Sequence, residues 1–172
     1  MREADPRLDR GVKQGRLSLD KDWLPAVENR GNVGASEKLF APLVEKMRRD
    51  GSFEVRIFVN VSRKLMEGKM QRGEDPVAAF RRSFVERHWR DARLPAVFYD
   101  PRALEGDHAP KLHAKCVSVD DEVALVSSAN FSEAAQNDNI EAGVLVRDAR
   151  FARTLGQQFE AMVARNELGR VF

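Results

Sequence analysis

Cysteine occurs once in this chain of 172 residues, at Cys116, so no disulfide scaffold is open to it. Histidine is nearly as scarce, with His88, His108 and His113 the full set. One thiol and three scattered imidazoles argue against a structural zinc site, and neither a metal nor a cofactor is expected. No apolar run approaches the roughly 20 residues that a membrane-spanning helix needs. No leader-like segment opens the chain, so the expectation is a cytoplasmic protein with no membrane partner. A dominant charge is missing too: 29 Lys and Arg against 27 Asp and Glu give a net charge of +2. That does not by itself imply nucleic acid, although positive charge gathered around a site would still matter. What is present is 42% hydrophobic and 33% charged residues, enough for one globular domain with a core.

The chemistry gathers in residues 111–141, KLHAKCVSVDDEVALVSSANFSEAAQNDNIE. Residues 111–119 alternate as a strand does, which predicts that His113 and Lys115 share a face, ~7 Å apart along the chain. Cys116 then points the other way, as a buried core thiol. The Asp pair at Asp120 and Asp121 is turn chemistry. A second apolar run over 123–126 completes a predicted hairpin that ends in Ser127-Ser128-Ala129-Asn130. Ser128 and Asn130 share a face by the same period. Ser132 is expected to cap a short helical turn, and a further strand over 140–146 carries Glu141 near its start.

His113-x-Lys115, four residues, Asp120, six residues, then Ser127-Ser128-x-Asn130 resembles the HKD motif of the phospholipase D superfamily. Family members usually carry Gly-Ser where this chain has Ser127-Ser128. They also tend to place a Glu about one strand after the Asn, where Glu141 stands. Six residue types at such offsets arise by chance roughly once in 10⁸ starting positions at average usage. The resemblance is specific over about thirty residues. Over 53–148 only the order of elements fits, and the first thirty-five residues are not covered. Residues 127–146 also resemble phospholipase D-like proteins of bacterial anti-phage defence systems, which implies a larger defence complex as a further partner.

The remaining segments read as an α/β domain. Residues 1–35 are polar, broken by Gly and Pro, and rich in basic residues such as Arg7, Arg10 and Arg16. They are expected to be a partly ordered arm, docked through Trp23-Leu24-Pro25, ahead of a catalytic domain over 36–172. A helix is predicted over 36–50, with Ser36 as cap and Pro42 marking the true first turn. A strand over 53–61 follows, with near-continuous apolar character. The loop 62–73 carries Arg63, Lys64, Lys69 and Arg72, either to contact phosphate or as a solvated connection. Asp75 and Pro76 open a helix to residue 89, whose Arg81, Arg82 and Arg87 are expected to face solvent. A strand over 94–99 and a loop through His108 lead into the site. The last helix, 149–165, has an apolar stripe of Phe151, Leu155, Phe159, Met162 and Val163, read as core. This order indicates a mixed β-sheet with helices on both sides, as in phospholipase D-like domains. Those domains normally open with an extra strand and helix. No counterpart is obvious here, so a shortened domain, or part of a longer protein, is expected.

Neutral imidazole can attack phosphorus, and an ammonium offers a point charge with three donors to a non-bridging oxygen. His113 is therefore the expected nucleophile, with Lys115, Asn130 and the Ser128 hydroxyl as donors. Asp120 is expected to pin the hairpin. By the family resemblance, Glu141 would orient a catalytic histidine. Arg63, Lys64, Lys111 and His108 are candidate substrate contacts, though a loop histidine such as His108 is more often merely exposed. One histidine cannot comfortably serve as both nucleophile and leaving-group acid. Phospholipase D-like sites use two, and this chain has one motif, which implies a homodimer with the two His113 rings facing each other. The expected function is metal-independent phosphodiester cleavage, most readily as an endonuclease on DNA or RNA. The alternatives are a phospholipase or phosphatidyltransferase, and a non-catalytic nucleic-acid-binding subunit.

Overall fold

The computed structural model describes residues 14–19, 33–61, 63–90, 92–106, 109–129 and 139–172, with side chains from residue 40 onward apart from 64 and 65. Seven strands among them form one sheet: β1 (Gln14–Leu19), β2 (Glu54–Val59), β3 (Ala96–Tyr99), β4 (Cys116–Val119), β5 (Val123–Ser127), β6 (Gly143–Val146) and β7 (Gly169–Arg170). Their order across the sheet is β6-β5-β4-β1-β2-β3-β7. β1 and β3 run parallel to β2, while β4, β5, β6 and β7 pair antiparallel with their neighbours. The helices are α1 (Val33–Arg49), α2 (Arg63–Met66), α3 (Pro76–His88) and α4 (Ala149–Ala164).

β2 shows why both faces are covered. Val55, Ile57 and Val59 fall on one face by the strand period of two, and Phe58 falls on the other. The first face packs against Phe40, Val44 and Met47 of α1 and Phe80 and Phe84 of α3. Phe84 stacks on Trp89 and touches the rings of Phe40, Phe80, His88 and Phe172. On the other face Phe58 stacks on Phe98, and Phe159, Met162 and Val163 of α4 close over them. Helix α4 sits close to β4 and β5 because its contact residues, Ala152 and Gly156, are small. The buried Ser118 hydroxyl donates to the Ala152 carbonyl there. At the far edge, Gly169 permits β7 to lie against Tyr99, since a Cβ would stand 2.7 Å from that ring.

Several expectations change. The first strand is present: residues 14–19, read as part of an arm, form β1 in the middle of the sheet. Its sequence QGRLSL carries little apolar signal, and its pairing with β2 and β4 decides its state. The helix expected from Ser36 begins at Val33 and carries Pro42 inside it. The N–H that proline lacks is offset by burial of Phe40, Val44 and Met47 around it. Phe151 is exposed rather than core, because the face of α4 on the sheet runs through Ala152 and Gly156. Arg82 is only partly turned to solvent. It donates to the Glu74 carboxylate and to the Lys69 carbonyl, fastening the basic loop to α3. The tryptophan anchor at Trp23 and the turn at Ser132 lie outside the described residues.

Candidate active site

The site strand is shorter than its alternation suggested. Regular pairing begins at Cys116, and residues 111–115 approach it as chain without assigned secondary structure. One ladder step continues past that start, where the Ser127 N–H donates to the Lys115 carbonyl at 2.9 Å. On the other side of β5, the Ser128 N–H donates to the Ala142 carbonyl at 2.9 Å, one step beyond the Ser127–Gly143 pair. These two bonds bring the Lys115, Ser128 and Glu141 segments side by side at one end of three neighbouring strands.

His113 is exposed there and Lys115 is half-buried. The Lys115 Nζ stands 3.1 Å from His113 Nδ1 and 3.4 Å from Nε2, and donates to the His113 carbonyl at 3.0 Å. Cys116, the next residue, is buried.

Ser128 and Glu141 form a second unit. The Ser128 hydroxyl donates to Glu141 Oε2 at 2.5 Å and accepts from the Ala142 N–H at 3.1 Å. Asn139 Nδ2 donates to Glu141 Oε1 at 3.2 Å. The carboxylate expected to orient a histidine is thus held within this chain by Ser128 and Asn139. The extra hydroxyl of Ser127, where glycine is usual, accepts from the Ala129 N–H at 3.0 Å.

Asp120 lies at the opposite end of the hairpin, five extended residues or about 16 Å from Lys115. It has φ 51° and Asp121 has φ 57°, the paired left-handed conformation of a type I′ turn, closed by the Glu122 N–H on the Val119 carbonyl. Lys111 and Arg63 are exposed. Arg63 opens the one-turn helix α2, which interrupts the expected loop three residues after Asn60. Asn130, His108 and the side chain of Lys64 lie outside the described residues. A cleft of about 430 Å³ beside the basic loop is lined by Lys69, Arg82 and Arg87, but also by Glu67 and Glu86. The hydrogen bond from Arg82 holds the Glu74 carboxyl below its ordinary range, and the same pair raises the guanidinium. Part of the positive charge near this loop is therefore already neutralised. Among the described residues, no three His, Cys, Asp or Glu converge to hold a metal, and no helix is long and apolar enough to cross a membrane.

The sequence pattern described as cardiolipin synthase, PLD-like domain, matches residues 35–163. The chain belongs to the phospholipase D-like family. A solved structure described as a phospholipase D family member, Nuc from Salmonella typhimurium, resembles it with a TM-score of 0.56 and 17% identity, over 95% of this chain and 84% of that one. NucT from Helicobacter pylori resembles it with a TM-score of 0.50 and 12% identity, over 88% and 79%. At such identities the likeness speaks for the fold. No curated protein matches the sequence.

In this phospholipase D-like chain, one polar residue beside these segments escaped the sequence reading. Asn60, buried at the end of β2, accepts the Leu112 N–H on Oδ1 at 3.2 Å. The available signal was a polar side chain inside the apolar run 57–61.

Proposed function

We propose that this protein is a metal-independent phosphodiesterase that cleaves DNA or RNA internally through a phosphohistidine at His113. The observation that carries the reading is the exposed His113 ring with the Lys115 ammonium 3.1 Å from its Nδ1, beside the Ser128–Glu141 unit. A ring nitrogen of His113 attacks phosphorus as the bond to the leaving oxygen breaks. His113 of the partner subunit gives its proton to that oxygen. Water then attacks phosphorus, the N–P bond breaks, and the partner's His113 takes the proton that water loses. Lys115 meets the non-bridging oxygens as negative charge builds on them, with Asn130 as a second donor.

The second subunit is part of the proposal because one imidazole cannot hold both roles. Exposed Val126, Ile140, Val144 and Leu145 lie on and beside the edge strand β6, next to Glu141. They offer apolar surface for such a contact. Two facing imidazoles titrate as a pair, so the pH–rate profile is expected to be a bell. Nucleic acid is favoured by the exposed Arg63 and Lys111 at this end of the sheet and by the names Nuc and NucT of the two similar structures.

The test is purified protein with labelled single- and double-stranded DNA, RNA and a phospholipid, all in EDTA. Cleavage of a nucleic acid, a phosphoenzyme trapped at His113, and a His113→Ala variant that binds but does not cleave are expected. Turnover of the phospholipid alone would move the substrate class. Binding without cleavage by the wild type would make the chain a non-catalytic subunit. Activity lost in EDTA and restored by a divalent ion would refute the mechanism.

A further inference from the structure

His113 lies just before β4, which begins at Cys116. Two hydrogen bonds flank it. Downstream, the Ser127 N–H holds the Lys115 carbonyl. Upstream, Asn60 Oδ1 takes the N–H of Leu112, the residue immediately before His113, across 52 positions of sequence. The Leu112 side chain is itself seated in the core beside Phe58, Phe98 and Leu168.

Asn60 is 2% exposed, between Val59 and Val61 at 2% and 0%. A strand end that apolar needs an amide only if the amide has a task. Its Nδ2 is buried with no hydrogen-bond partner among the described residues. A buried donor left unmet is a cost to stability, and such costs persist where geometry serves function.

We propose that Asn60 is a positioning residue: by accepting the Leu112 N–H it sets the backbone from which His113 attacks phosphorus. It touches neither substrate nor the reacting atoms. The proposal rests on the phosphohistidine reading above and adds a residue from a distant strand to it.

The experiment compares Asn60→Leu, which removes the acceptor at similar volume, with Asn60→Asp, which keeps an acceptor oxygen. Cleavage by each full-length variant is measured under saturating and limiting oligonucleotide, alongside thermal melting and amide exchange at Leu112. N60L is expected to lose about tenfold to a hundredfold in kcat, the scale of a 1 Å misplacement, with KM nearly unchanged. Its Leu112 amide should exchange faster, and N60D should recover most of the rate. If N60L does not fold, Asn60→Ser shortens the side chain out of reach without adding apolar volume. Wild-type kcat in the variant lacking the acceptor, or equal losses in N60L and N60D, would overturn the proposal. A wild type that cleaves nothing overturns the phosphohistidine reading instead. The anchor is then judged on Leu112 exchange, and an unchanged rate in N60L removes it.

Discussion

Replacing Lys115 by Met removes a charge while keeping an unbranched side chain of similar length. The ammonium lies 3.1 Å from the His113 ring, so an oxygen on a phosphorus bonded to that ring would come within about 4 Å of it. Two unit charges at that distance interact by about 1 kcal/mol in water and about 4 kcal/mol at an effective dielectric of 20. His113 is exposed and Lys115 half-buried, so the free site lies toward the watery limit. Bound substrate and a second subunit would exclude water and move it toward the other. Since 1.36 kcal/mol is tenfold in rate, the expected loss is about fivefold to a thousandfold. It should fall on the chemical step, because the charge that Lys115 meets grows as the ester is attacked. Single-turnover cleavage of a labelled oligonucleotide in EDTA, at saturating enzyme, measures it. Lys115→Arg should fall between the two, since a planar fork keeps the charge but cannot reproduce the compact contact of an ammonium. A Met variant within twofold of wild type would refute the role given to this ammonium.

Asp75 accepts from the Val77 and Ala78 N–H groups at the start of α3. Asp75→Ala should therefore cost about 1 kcal/mol and lower Tm by roughly 2–4 °C in a thermal melt. The Glu74 carboxyl is held below its ordinary 4.5 chiefly by the Arg82 hydrogen bond and then by the Gln71 N–H. A depressed acid stabilises the fold above its unfolded value and loses that contribution as pH falls through the folded one. The Tm difference between wild type and Glu74→Gln should thus be full near neutrality and shrink as pH is taken below 4.5. At the hairpin tip, Asp121 has φ 57°, so Asp121→Val should cost about 1–2 kcal/mol while Asp121→Gly is tolerated. Neither should change kcat, because the tip is remote from His113.

The sequence by itself determined what neighbours a few residues apart can settle. Asp75-Pro76 set the start of α3, because a cap and a proline at the first helical position need nothing from afar. The Asp120-Asp121 corner and the apolar runs around it set the β4–β5 hairpin. The residue types of the motif were legible for the same reason, and they led to the family before any coordinates. Tertiary structure alone decided the rest. Gln14–Leu19 is a strand because β2 and β4 offer it backbone partners on both sides, not because QGRLSL announces one. Phe151 lies outside the core because the small Ala152 and Gly156 face the sheet instead. Asn60 meets Leu112 only once β2 and the chain before β4 lie together, and Glu141 meets Ser128 only once β6 pairs with β5. Hydrophobic period and turn chemistry act within one or two turns of chain, whereas strand partners and buried hydrogen bonds depend on which distant segments the whole core brings together.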